Sequence, residues 1–175
     1  VEGEQGHGIY LDTLSGAIEV VRNVVRQVRA GGITVDRSPQ QGHKIGYNLV
    51  HDTGLKSTLL SGGICLSRGS SGVEVFHNTV WNVGYAALAV QGLAADHVSA
   101  SGAIVPQRVD RCVVRDNILF ARSGTTSVVE RPAGGSRSDF VKNCFGASFA
   151  NKYLFDASNA ASTTYFSTAS AWEAA

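Results

Sequence analysis

One word recurs along this chain. Gly31-Gly32-Ile33-Thr34-Val35 and Gly62-Gly63-Ile64-Cys65-Leu66 are near copies, and Gly8-Ile9-Tyr10-Leu11 is a shorter one. Each leads through a Gly/Ser turn to a second short apolar run and then to an asparagine that opens a third. Weaker copies follow at Cys112–Leu119 and Phe140–Phe145. The asparagines fall at 23, 48, 78, 117 and 143, giving intervals of 25 (48−23), 30 (78−48), 39 (117−78) and 26 (143−117). A period of roughly 20 to 50 residues marks a solenoid, a propeller or an array.

The runs alternate with period 2 and are punctuated by Gly, Ser and Asn, which excludes helical repeats. A propeller blade needs four strands joined by tight hairpins, and the Asn-Gly and Asp-Gly signals of such hairpins are absent. Three short strands per repeat, stacked in parallel on the next repeat, is the remaining arrangement. On these residues the chain resembles the right-handed parallel β-helix, or pectin-lyase-like, proteins over residues 8 to about 145. The expected fold is all-β, a right-handed parallel β-helix solenoid of about five to six coils, with coils over residues 1–150 and an irregular Ala/Ser/Thr-rich tail over 151–175. The stacked asparagines form a structural ladder on this reading. The tail ends with Ser170-x-x-Glu173, a capping-box pattern that starts a helix.

Fifteen Lys and Arg against 14 Asp and Glu leave a formal net charge of +1, so no bulk attraction to nucleic acid is implied. No apolar run has the length of a membrane span. The three cysteines, Cys65, Cys112 and Cys144, have no metal-ligand spacing. Cys112 and Cys144 fall on apolar positions of the repeat and are expected to be buried thiols, whereas Cys65 faces outward between Ile64 and Leu66. Neither end reads as a cap, which predicts lost coils or self-association through open rungs. Residues 91–109 account for the 39-residue interval as an insertion thrown out of the coil, of the kind that borders a binding site.

Alternation points Ile9/Leu11, Ile33/Val35, Ile64/Leu66 and Leu88/Val90 inward. It leaves Tyr10, Thr34, Cys65 and Ala89 as one outward column, and Asp12, Asp36, Ser67 and Gln91 as the next. Asp12 and Asp36, one rung apart, are the candidate catalytic pair: two carboxylates about 5 Å apart suit a retaining glycoside hydrolase, and with backbone carbonyls they can hold Ca²⁺, the one cofactor considered. Arg37 and Arg68 flank the column and are candidate binders of a uronate carboxylate. The structural alternative has both aspartates ending strands, with the arginines neutralising them. Trp81 and Tyr85, just before the insertion, are candidate stacking platforms for a sugar ring. His43 takes an inward position beside the Gly42 turn, and His51-Asp52 falls on an outward column. No dedicated metal motif, Ser/His/Asp order or phosphate loop is present.

The resemblance implies a carbohydrate-active protein, a polysaccharide lyase or glycoside hydrolase acting on or binding an extracellular polysaccharide, hence secreted or at the cell surface. Its partner would be a polysaccharide, with neither nucleic acid nor membrane. A non-catalytic or truncated solenoid with a structural or binding role is the alternative, because a fold alone does not fix a function.

Overall fold

The computed structural model describes residues 6–13, 16–39, 42–54, 61–122, 125–131, 133–146, 152–155 and 164–174. The chain is a right-handed parallel β-helix of five coils. The first coil is β1 (Ile9–Leu11), β2 (Glu19–Val21) and β3 (Val24–Val28); the second is β4 (Gly31–Asp36), β5 (Lys44–Gly46) and β6 (Leu49–Thr53). The third is β7 (Gly62–Ser67), β8 (Glu74–Phe76) and β9 (Thr79–Val83). The fourth runs from β10 (Ala86–Gln91) through a hairpin, β11 (His97–Val98) and β12 (Ile104–Val105), to β13 (Val113–Arg115) and β14 (Ile118–Ala121). The fifth is β15 (Thr126–Arg131), β16 (Asp139–Val141) and β17 (Cys144–Phe145). Corresponding strands pair in parallel, so that three sheets run the length of the solenoid.

The register is the one the repeat dictates. Ile9, Ile33, Ile64, Leu88 and Val128 are successive Cα partners on the first sheet, and the four from Ile33 onward are buried. Val20, Ile45, Val75, Val114 and Phe140 make the inward column of the second sheet; Val25, Val50, Val80, Leu119 and Phe145 make that of the third. The doubled glycine has a packing cause. An ideal Cβ at Gly63 would lie 2.2 Å from Val80 Cγ1 and 2.7 Å from the Ala87 carbonyl oxygen, and Gly32 meets Val50 Cγ1 at 2.4 Å in the same way. The small residue lets the third sheet close against the first across a narrow core.

Each coil turns from its second to its third sheet at a residue in the left-handed region, namely Arg22, Tyr47, His77, Asp116 and Lys142 with φ of 58°, 56°, 51°, 56° and 53°. A non-glycine residue there is strained, and the asparagine that follows it each time secures the turn. Asn23, Asn48, Asn78 and Asn117 each donate from Nδ2 to Oδ1 of the next ladder asparagine, at 3.0, 2.9, 3.0 and 3.0 Å. Their backbone N–H groups donate to the same oxygens. From Asn48 onward each Nδ2 also reaches a backbone carbonyl one rung back, such as Ile45 for Asn78 at 2.8 Å. Asn78→Ala removes these bonds inside a buried stack and is expected to cost about 2 kcal/mol in urea unfolding, while Asn23→Ala, at the partly exposed first rung, should cost less than half of that. Equal losses would show that the ladder does not act as a buried network.

Four expectations need correction, the last of them the cap of the terminal helix. Cys112 is buried, but Cys144 is exposed. It pairs with Ile118 at the outward-facing first position of the third-sheet strands, a position apolar in several coils without being part of the core. Cys65 does point away from the core, yet it is only 1% exposed, packed with Ala86, Ala89, Val129 and Tyr85. Burial pushes both the Cys65 and the Cys112 thiol up to about 12. The third correction concerns the tail, which is not wholly irregular. β18 (Lys152–Phe155) pairs in parallel with β15, and β19 (Thr164–Phe166) pairs antiparallel with β18.

A short helix, α1 (Ala169–Glu173), follows, capped not by Ser170 but by Thr168, whose Oγ1 accepts from the Ala171 N–H at 3.2 Å. Trp172 is fully buried edge-on against Phe140 and Phe145, the last inward residues of the second and third sheets. The C-terminal end of the core is therefore covered. Glu130 continues the inward column of Leu66 and Val90 and is also fully buried. Its carboxylate accepts from the Ser138 N–H at 2.7 Å and from Arg137 Nε at 3.2 Å, and Arg137 lies over the Trp172 ring. Burial raises the Glu130 carboxyl above the ordinary glutamate value.

Candidate functional site

The outer face of the first sheet was the expected site, and its centre is closed. Thr34, Cys65, Ala89 and Val129 form consecutive positions of its outward column, each at most 1% exposed. Among the described residues, a cluster of partly accessible polar side chains stands at the first rungs of this sheet, with His7, Tyr10, Asp12, Arg37 and Arg68 on the rungs around Asp36.

Asp36 ends β4 and is fully buried. Arg68 binds it in two-pronged fashion, Nε to Oδ1 at 2.7 Å and Nη2 to Oδ2, and the Tyr10 hydroxyl donates to Oδ2 at 2.7 Å. The guanidinium is held charged by this carboxylate, while burial and the hydrogen bond to Asp36 keep the Tyr10 phenol protonated well above its usual range. The His7 ring stacks on Tyr10 with centroids 4.6 Å apart and bonds Thr34 Oγ1 through Nδ1 at 2.9 Å. Burial lowers its pKa from the ordinary histidine value, leaving a neutral imidazole at pH 7.

Arg37 follows Asp36 in the left-handed region with φ of 49°, and Arg68 follows Ser67 in the same way at 43°. The repeated backbone turn sets both guanidiniums beside one carboxylate, and Arg68 takes it. Arg37 Nε stays 4.0 Å from Asp36 Oδ2, and among the described residues it is a buried donor without a hydrogen-bond partner. Asp12 is exposed, its Oδ1 accepting from the Thr13 N–H and hydroxyl at 2.8 Å each. The two aspartates therefore occupy unlike environments: one carboxylate is spent on internal bonds, the other faces solvent. Among the described residues no group of three or more His, Cys, Asp or Glu side chains could hold a metal ion.

The insertion meets this site. Gly69, with φ of 91°, lies so close to the Pro106 carbonyl that an ideal Cβ would come within 2.1 Å of it, and the Arg68 N–H donates to the Gln91 carbonyl at 2.8 Å. The base of the hairpin loop thus rests on the turn that carries Arg68, while Val98 and Ile104 at its pairing stand exposed.

Trp81 and Tyr85 are not brought together. Tyr85 packs over Cys65 and Ala86 and its hydroxyl accepts from Gln91 Nε2 at 3.2 Å. Trp81 projects from the third sheet, 55% exposed. His43 is fully buried, its Nε2 at 2.7 Å from Ser38 Oγ and its Nδ1 accepting from the Ile18 N–H at 3.3 Å. Sequence reasoning overlooked His7 and Tyr10 as site residues; the in-out alternation that placed Tyr10 beside Thr34 was the available signal, because it sets Tyr10 one rung and two positions from Asp36. In comparisons with known proteins, no protein family, no curated protein and no solved structure matches this chain.

Proposed function

We propose that this β-helix is a carbohydrate-active protein that binds a uronate-bearing extracellular polysaccharide across the first rungs of its first sheet, with Arg37 taking a sugar carboxylate. The observation that carries this reading is the state of Arg37. The Arg37 side chain is a quarter exposed while its Nε is sealed from solvent and unbonded; a partly desolvated charge of this kind is costly unless an anion offsets it, and the exposed end of the guanidinium is the part that can take a carboxylate. Asp36 does not complete it, since its carboxylate is turned to Arg68 and Tyr10 and its Oδ2 stands 4.0 Å from Arg37 Nε, beyond hydrogen-bond reach. Tyr10 and the hairpin base flank the position, and an extracellular polymer as ligand places the protein outside the cell or at its surface.

Of the two enzymatic forms, elimination fits the geometry better than hydrolysis. A retaining hydrolase needs two accessible carboxyl groups, whereas Asp36 is buried. Elimination from a uronate needs its carboxylate neutralised and a base for the proton on the adjacent carbon. Arg37 supplies the first and the neutral His7 imidazole can supply the second, with the protonated Tyr10 beside it.

Titration calorimetry with polygalacturonate, alginate and hyaluronan tests the reading. At least one is expected to bind, and Arg37→Ala to weaken that binding tenfold or more without moving the melting temperature. Absence of binding to all three, or affinity untouched by Arg37→Ala, removes the proposal. Ultraviolet absorbance of an unsaturated uronate product, lost in His7→Ala, distinguishes a lyase from a binding module.

A further inference from the structure

The third sheet carries a different arrangement on its outer face. Arg26, His51, Trp81 and Phe120 are consecutive Cα partners there, so three aromatic rings stand on adjacent rungs. The residue after each of the first three is in the left-handed region, Gln27, Asp52 and Asn82 having φ of 55°, 54° and 52°. A left-handed residue inside a strand turns the backbone so that two successive side chains share one face, and the pairing register runs on unbroken across it from the first coil to the second. Asp52 and Asn82 are thereby set beside the rings instead of in the core, which is resumed by Val28, Thr53 and Val83.

The polar pair is pre-organised. Asp52 Oδ1 accepts from Asn82 Nδ2 at 2.5 Å, and Oδ2 lies 2.8 Å from His51 Nδ1. Each carboxylate oxygen has two lone pairs and keeps one for a ligand, and the Asn82 side-chain carbonyl offers a further acceptor. The His51 and Trp81 rings lie 6.3 Å apart at 41°, and Phe120 is seated over Gly146, where an ideal Cβ would come within 2.3 Å of the ring. Trp81 itself is open to solvent. A large exposed indole in a row of rings contributes nothing to the core.

We propose that this face is a second sugar-binding site, taking a neutral pyranose unit stacked on Trp81 with vicinal hydroxyls bonded to Asp52 and Asn82. A pyranose has an apolar C–H face for the indole and hydroxyl donors at its rim for a carboxylate. An apolar protein side chain placed here would desolvate the Asp52 carboxylate without pairing it, which is costly. A cationic side chain would meet the exposed Arg26 and Arg122, the latter close enough to act on Asp52 electrostatically. The site lies on another sheet from Arg37 and does not depend on the uronate reading.

The chain's two tryptophans make the test direct, because Trp172 is fully buried and only Trp81 can report a surface ligand. Cellohexaose, xylohexaose and mannohexaose are titrated against the intact protein while tryptophan emission and acrylamide quenching are followed. At least one is expected to shift emission to the blue and reduce quenching. Trp81→Ala should abolish the signal and lower calorimetric affinity at least tenfold, Asp52→Asn at least threefold, and Arg37→Ala should leave both unchanged, with far-ultraviolet circular dichroism constant throughout. The proposal is overturned by silence with all three hexaoses, or by affinity that survives Trp81→Ala. It is overturned equally by a concentration-dependent mass in light scattering that Trp81→Ala removes, since a second copy would then be the occupant.

Discussion

Ile64→Asp is expected to leave no folded protein, seen as loss of the strand signal in circular dichroism and an expanded or aggregated species on gel filtration. Ile64 is the middle of the inward column Ile9, Ile33, Ile64, Leu88 and Val128, fully buried, with an aliphatic neighbour on the rung at each side. A carboxylate there would be stripped of water with no cation in reach, and protonation would still leave a hydroxyl and a carbonyl without partners. The cost, on the order of 5 kcal/mol or more, equals or exceeds the low end of the 5–15 kcal/mol that hold a typical domain. Glu130 is the internal control. It occupies an equivalent kind of inward slot, but in the last coil, where Arg137 and the Ser138 N–H satisfy it. Ile64→Val, which keeps the slot apolar, should cost only about 1 kcal/mol. A soluble, cooperatively unfolding Ile64→Asp variant would mean that the column is not a sealed core.

That column could be read from the sequence because the repeat supplies its own alignment. Five asparagines at matching places fix the phase of each coil, and phase with period-2 alternation assigns Ile33, Ile64, Val75, Val80 and Leu119 to the interior, where they lie. What alternation cannot supply is whether an outward residue meets water. Cys65 and Thr34 face outward and are buried all the same, while Cys144 shares its column with the apolar Ile118 and is exposed. On the third-sheet strands apolar residues stand at the exposed first position, as in Val24, Leu49 and Ile118, as well as at the buried second one, so apolar character alone does not mark the core there. The left-handed residues Gln27, Asp52 and Asn82 could not be placed from composition alone: Asp and Asn favour that backbone region but Gln does not, and their shared position emerges only once the rungs are stacked. Nor could the tail announce its role, because Trp172 finds Phe140 and Phe145 only once the last coil exists.

For the candidate site, residue types and column positions were legible, but not the allotment of one carboxylate to one of two arginines. That allotment predicts a large effect for Asp36→Asn, of a kind that separates a structural from a catalytic aspartate. The substitution keeps shape and removes the charge that Arg68 grips through two nitrogens. Because Arg68 is partly shielded from solvent and Asp36 wholly so, breaking the pair from one side should cost about 3 kcal/mol in urea unfolding, at the low end for buried pairs because the guanidinium retains some water. Removing the orphaned cation as well, in Asp36→Asn with Arg68→Met, should recover more than half of the loss, since most of the penalty is the unpaired charge and not the absent bond. A nucleophile or general acid would behave otherwise: its loss would abolish turnover with stability intact, and the second substitution would rescue nothing. Asp36→Asn with unfolding free energy within about 0.5 kcal/mol of the wild type, the range of an ordinary surface substitution, would return Asp36 to the catalytic candidates and leave the Arg68 pair without a structural role.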